Sequence, residues 1–251
     1  MMNRRNMLAA GAGMALGSHN LGAAEKLKGN IRHSACSWCF ISQGDKWNLD
    51  QLCEQAKSLG CVSIELLRPQ QFATVKKHGL EIAIASNGMP GGFKKGFNNP
   101  AYREELLKHT RETIDACAEF KVPTVIGFVG FKYQNADDVK STVISLEDAE
   151  KNCVEGLKQI AGYAEKKGVT VAVEHLNTRD GSHPMTGHPG YQGDDVDWLA
   201  GVLRKVGSPR IKLLFDIYHV QIMHGDVIRR IEQHKDVIAH IHTAGNPGRH
   251  E

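Results

Sequence analysis

Ile211–Val220 reads IKLLFDIYHV. Its first half, IKLLF, is a short and nearly unbroken apolar run, the pattern of a strand buried on both faces of a parallel sheet. The run ends at Asp216, with His219 three residues further on. A buried strand that carries a carboxylate and an imidazole at its C-terminal end puts them where α/β barrels hold their reactive groups. The flanking strands repeat the pattern: VAVE ends in Glu174, and AHIH ends in His242. Three successive strand ends thus offer Glu, Asp and His.

Outward from that stretch the chain alternates strand and helix from Ile31 to its end. Strands are expected at IRHSACSWCF, CVSIELL, EIAIASNG, PTVIGFVG, TVAVEH, IKLLFDIYHV and VIAHIHTAG, with amphipathic helices between them. Ser145 with Asp148 opens one long helix as a capping box, and Gly60 and Gly79 close two others. The segment LNTRDGSHPMTGHPGYQGD is about twenty residues without helix or strand pattern, a length that in a compact domain marks function or disorder. A doubly wound sheet would need a G-x-G-x-x-G after strand one, and Cys39-Phe40-Ile41-Ser42 offers none. The fold class is therefore α/β, a (β/α)8 barrel of which seven β/α units are visible before Glu251. The chain is read as an incomplete or truncated barrel, whose open edge would invite self-association into a homo-oligomer.

At 251 residues, 41% hydrophobic and 24% charged, the chain suits one barrel-sized domain, placed at residues 25–251. A net charge of +3 with no basic cluster in the body argues against a nucleic-acid partner. The first residues, MMNRRNMLAAGAGMALGSHNLGAAE, have the layout of an export leader. Arg4-Arg5 precedes a short apolar run and small residues, which suggests a twin-arginine signal over residues 1–24 and a periplasmic destination. The run is too short to span a bilayer; if it is merely a tail, the protein is cytoplasmic. The six cysteines fall within expected strands and helices and read as buried small hydrophobes. Cys36 and Cys39, placed on one strand, would point to opposite faces.

Glu174, Asp216 and His242 offer two anionic oxygens and one imidazole nitrogen. This donor set suits one divalent ion, Mg²⁺ or Mn²⁺ in the first place, with Co²⁺, Fe²⁺ and Zn²⁺ as further options. The competing reading is that the carboxylates cap helices or pair with Arg179 and Arg249, and that His242 is a hydrogen-bonded core histidine. One such residue alone favours that reading; three on consecutive strands reverse it. His175, next to Glu174, should face the other way and be structural. His219 could reach a substrate oxygen, and Arg249 could grip an anionic substrate, since guanidinium matches carboxylate geometry. Glu65 and Asn87 end strands two and three and could hydrogen-bond substrate.

The segments VEHLNTRD, HPGY, LLFDIYHVQIMHGDVIRRI and HIHTAGNPGRHE closely resemble the hydroxypyruvate isomerase family within the xylose-isomerase-like barrels. The resemblance runs from about Ile31 and is most specific in the second half. It implies a (β/α)8 barrel, one divalent metal, and interconversion of hydroxypyruvate with tartronate semialdehyde. It also implies that Glu174 is a ligand and acid/base, that Asp216 is a ligand, and that His242 stands where relatives carry Gln or His as a ligand. The family's second glutamate acid/base belongs to the eighth strand. A sugar 3-epimerase on the same barrel is the alternative enzyme, and a non-catalytic metal- or ligand-binding fragment the alternative outside enzymes. A nuclease of the endonuclease IV type would need more metal ligands and a basic face.

Overall fold

The computed structural model describes residues 30–183, 185–246, 248 and 249. Every strand and helix below lies in the compact unit that begins at His33, and the leader expected over residues 1–24 falls outside the described residues. In chain order the elements are β1 (Ser34–Cys36), α1 (Ser37–Ile41), α2 (Leu49–Ser58), β2 (Ser63–Glu65), α3 (Phe72–Lys77), β3 (Glu81–Ile82), α4 (Arg103–Phe120), β4 (Thr124–Phe128), α5 (Leu146–Lys167), β5 (Thr170–Glu174), α6 (Val196–Val206), β6 (Ile211–Asp216), α7 (Ile217–Met223), α8 (Val227–His234) and β7 (Ile238–His242).

All paired strands are parallel, and each lies beside its successor: β1-β2-β3 in one ladder, β4-β5-β6-β7 in another. A bridge between Ala85 and Val125 joins the two ladders. In a flat sheet β2 and β7 would stand roughly 24 Å apart, five strand spacings. Instead Glu65 Oε2 at the end of β2 lies 2.9 Å from His240 Nε2 on β7, so the sheet curls round on itself as a barrel does.

Curling separates two cores. Val125, Val171, Val173, Leu213 and Phe215 face the helices and pack with Leu157, Ile160, Leu199 and Leu203. The alternate strand residues Ile84, Ile126, Ala172 and Leu214 form a small cluster of their own on the inner face, as the two-residue period of a strand requires. These four make an apolar floor. One step further along the strands, the same inner face carries Phe128, Glu174 and Asp216.

The helices begin and end where their sequences say. The Ser145 side chain accepts from the Asp148 N–H at 3.0 Å, and Gly168 in the left-handed region stops α5. Asn48 and Gln51 form a reciprocal capping box on α2, and Asp195 caps α6. The strands are shorter than read, EIAIASNG being reduced to Glu81–Ile82, and two of the stretches run on as helix. IRHSACSWCF leaves the sheet after Cys36 and becomes α1, and IKLLFDIYHV leaves it after Asp216 and becomes α7. Each stretch is apolar enough to pass as a continuous strand, but in both cases the chain turns at the sheet's edge into a one- or two-turn helix.

Tyr191, from the long loop after β5, ties this framework to the site. Its buried hydroxyl accepts from the Val129 N–H and donates to the Glu174 carbonyl, each at 2.7 Å. Tyr191→Phe leaves both backbone groups buried without a partner, at about 1–3 kcal/mol for each group. A fall in Tm of about 2–4 °C per kcal/mol lost is expected in thermal unfolding; an unchanged Tm would refute this role.

Candidate active site

The site is assembled by register. Phe128 pairs with Glu174, Glu174 with Leu214, Leu214 with His240, and Asp216 with His242. Between Leu213 and Leu214 the β6–β7 ladder shifts: Leu213 faces Ile238, yet Leu214 faces His240. That bulge absorbs one residue of β7. Without it Asp216 would sit beside Ile241, which instead lies exposed on the other face. The irregularity therefore brings both histidines of IAHIH to the inner face, a role bulges often play beside active sites.

Three of the predicted residues meet there. His242 Nδ1 lies 2.9 Å from Glu174 Oε1 and 3.9 Å from Asp216 Oδ2. His219, in α7, closes the other side with Nε2 at 3.7 Å from Asp216 Oδ2. Donor atoms of Glu174, Asp216 and His219 all lie within 4.8 Å of one another. Asp216 is also the N-cap of α7: its Oδ1 accepts from the His219 N–H at 3.1 Å, which fixes the carboxylate and leaves Oδ2 to the cluster. Burial, and after it the charge of Glu174, pushes the Asp216 carboxyl up to about 6. Burial alone would lower the His242 imidazole, but the hydrogen bond and charge of Glu174, with Glu65 and Asp216, carry it up to about 9. Buried carboxylates crowded together call for positive charge, and a divalent cation among Glu174, Asp216, His242 and His219 fits that donor set.

The other predicted residues divide. Arg249 reaches the cluster: its Nη2 is 3.0 Å from His219 Nε2, its guanidinium lies 4.2 Å from the centre of the Tyr218 ring, and its buried Nε has no hydrogen-bond partner. Glu65 reaches it from across the barrel, through His240 and His242. Burial would raise its carboxyl, but the hydrogen bond from His240 and the charges of His242 and His240 hold it below the usual range. Asn87 does not join them. Its Oδ1 accepts from the Met89 N–H at 3.0 Å, and it lines a cavity of about 860 Å³ with Arg68, His109, Glu112, Thr113 and Phe128. His175 faces the helices, packed against Phe215 and fully buried; burial holds its imidazole down at about 3.

Sequence reasoning missed several residues. His188 lies in the mouth, with its ring 4.4 Å from Phe93 and 5.9 Å from His219, and burial lowers its imidazole to about 4. Asn177 holds His219 through contacts to Nδ1 of 2.7 Å from its side-chain amide and 3.2 Å from its backbone N–H. Both residues belong to the long loop, within the segments VEHLNTRD and HPGY that resemble the family, but neither was singled out. Cys36 and Cys39, expected on opposite strand faces, stand instead at the start and in the first turn of α1, hydrogen-bonded to each other. A C-x-x-C across a strand-to-helix junction brings its thiols together, whereas on a continuous strand they diverge.

A parallel barrel with its polar groups gathered at the C-terminal ends of its strands is an enzyme architecture. Residues 53–251 match the model of the xylose isomerase-like TIM barrel family, and the chain belongs to that family. A Cupriavidus necator protein named 2-oxo-tetronate isomerase is 39% identical over 202 residues, covering 76% of this chain and 72% of its own length. The hydroxypyruvate isomerase of Escherichia coli is 29% identical over 107 residues, 43% of this chain and 39% of that protein. Among solved structures, one titled AP endonuclease, family 2, from Brucella melitensis superposes with a TM-score of 0.70 at 22% identity, covering 88% of this chain and 82% of that one. That last likeness concerns the fold alone. Among the described residues no helix is long and apolar enough to cross a membrane.

A cation that binds the folded chain and not the unfolded one raises stability, by about 2.7 kcal/mol at one hundred times its Kd. Mn²⁺ is expected to raise the Tm of EDTA-treated wild-type protein, and Asp216→Asn to lose most of that increase. Equal shifts in both proteins would remove Asp216 from the ligand set.

Proposed function

We propose that the protein is a metal-dependent isomerase of small 3-hydroxy-2-oxo acids, interconverting them with their 2-hydroxy-3-oxo isomers. The observation that carries this reading is the buried contact of Glu174, Asp216 and His242 at three successive strand ends. The substrate class is the chemistry common to the names of the two isomerase relatives: hydroxypyruvate and 2-oxo-tetronate each carry a carbonyl beside a hydroxyl-bearing carbon and a carboxylate.

Glu174, Asp216 and His242, with His219 beside them, would hold one divalent ion, of which Mg²⁺ or Mn²⁺ best matches the oxygen-rich set. When bound, such an ion supplies a Lewis acid that stabilises negative charge developing on the two neighbouring substrate oxygens. Glu174 removes the proton from the hydroxyl-bearing carbon C3. The electron pair of that C–H bond becomes the C2–C3 double bond of an enediolate, and the proton returns at C2. Meanwhile the C3 hydroxyl loses its proton and the C2 oxygen gains one, so hydroxypyruvate leaves as tartronate semialdehyde with no external oxidant. Positioned proton transfer of this kind contributes about 10²–10⁴-fold. Arg249 supports the choice of an acid: its unpartnered Nε and its Nη2 offer a fork for the substrate carboxylate. Phe93, Phe128 and His188 line the mouth and keep water from the carbanionic carbon.

Hydroxypyruvate incubated in D₂O with Mn²⁺ tests the assignment. Deuterium is expected at the hydroxymethyl carbon with wild-type protein, and at least a hundredfold less with Glu174→Gln. A folded, metal-loaded wild-type protein that exchanges nothing would refute the isomerase reading and leave a metal- or ligand-binding protein. The residue 1–24 leader supports export to the periplasm as a further part of the proposal; N-terminal sequencing of the protein from a periplasmic extract should begin near Ala24 or Glu25. Recovery of the intact N-terminus from the cytosol alone would overturn it.

A further inference from the structure

We propose that Glu65 is a positioning residue whose carboxylate accepts the Nε2 proton of His242 and so holds that ring with Nδ1 turned to Glu174 and Asp216. The inference rests on the metal-centre reading given above and adds to it the residue that orients one ligand.

The His242 imidazole is held between two carboxylates. Nδ1 lies 2.9 Å from Glu174 Oε1 and faces Asp216, while Nε2 points the opposite way, 3.6 Å from Glu65 Oε1. Nε2 is buried and makes no hydrogen bond in this arrangement, so Glu65 is the acceptor placed to satisfy it. The other oxygen of Glu65 is not idle. Oε2 sits 2.9 Å from His240 Nε2, which fixes the plane of the carboxylate from a second direction. Glu65 itself is 7% exposed, so little solvent competes for its oxygens.

The backbone around Glu65 enforces this aim. Leu66, directly after it, has a φ of 58°, a left-handed conformation unusual for a bulky side chain, and its N–H is tied to the Ile84 carbonyl at 2.8 Å. The chain thus turns out of β2 immediately after delivering the carboxylate inward. The geometry is also long-range: β2 supplies the acceptor and β7 the imidazole, 177 positions apart along the chain. Imidazoles that ligate metals commonly donate their second N–H to a carboxylate, which fixes tautomer and ring orientation and makes the ligating nitrogen more basic. Here the carboxylate stands on the Nε2 side of the ring and the Glu174–Asp216 pair on the Nδ1 side. Glu65 touches neither substrate nor metal in this scheme; it acts through His242.

The test compares the affinity of the full chain for Mn²⁺, measured from the electron paramagnetic resonance of free Mn²⁺, in wild type, Glu65→Gln and Glu65→Asp. Glu65→Gln is expected to weaken Mn²⁺ binding by about 10–100-fold, with the Tm in EDTA changed far less, and Glu65→Asp to recover part of the loss. A folded Glu65→Gln that binds Mn²⁺ as tightly as wild type overturns the proposal and leaves the metal reading standing. Wild-type protein that binds no Mn²⁺ overturns both. A measurement on the wild type covers variants that do not fold: ¹⁵N-histidine spectra of the Mg²⁺-loaded protein should give His242 a protonated, slowly exchanging Nε2. Protonation at Nδ1 instead would refute the orientation.

Discussion

Glu174 and Asp216 are both more than nine-tenths buried, at the top of an apolar floor that gives neither one a partner. Two negative charges taken from water into such a place repel each other and lose their hydration together, and the carboxyl of Asp216 rises to about 6 in response. Everything nearby is arranged around that cost. His242 and His219 supply nitrogen on either side, the first turn of α7 takes up one Asp216 oxygen, and Tyr191 holds the backbone from which Glu174 projects. A cluster so supported offers the mixed oxygen and nitrogen donors that the proposed divalent cation would use.

The backbone supplies this arrangement with few departures from regularity. Along β5 and β6 the ordinary two-residue alternation is enough: Ala172 and Leu214 lie on the inner floor, and Glu174 and Asp216 follow one step on. Along β7 alternation alone would fail, and the single bulge opposite Leu213 and Leu214 corrects the phase. A one-residue slip turns a strand's side chains to the other face, so one local irregularity decides whether the site holds two imidazoles or an alanine and an isoleucine.

β5 and β6 were legible in the sequence because each is a short apolar run closed by a carboxylate, and the long helices because Ser145, Gly168 and Asp195 mark their ends. Glu174, Asp216 and His242 could be grouped for the same reason, since each ends a run. Other features were weakly marked, the N-cap aspartate of α7 being the one local sign among them. The turn from strand to helix at Cys36 and at Asp216 is carried by no glycine or proline, so SWCFI and IYHV read as more strand. The bulge in β7 has no composition of its own. The contacts of Glu65 with His240 and His242 join positions far apart in the chain, and only the curl of the sheet reveals them. His188 and Asn177 come from a loop without period, where residue type alone says nothing of direction.

The cluster is asymmetric. On the β7 side His242 is backed by Glu65 and His240, a wall of alternating carboxylate and imidazole already occupied with one another. On the α7 side the polar groups are less committed: Arg249 stands against His219 and the face of Tyr218 with its Nε unpartnered. A small acid entering this mouth therefore meets its complementary charge on the α7 side. On the proposed reading its carbon chain would then extend toward Glu174, on the side where Phe93 and His188 stack. A carboxylate held at that end would set a carbonyl and its neighbouring carbon over the buried Glu174–Asp216 pair. On the proposed reading, selectivity for 3-hydroxy-2-oxo acids over neutral sugars comes from the Arg249 side. On the same reading the proton transfer would come from the Glu174 side, so that the two jobs are divided between opposite walls of one barrel mouth.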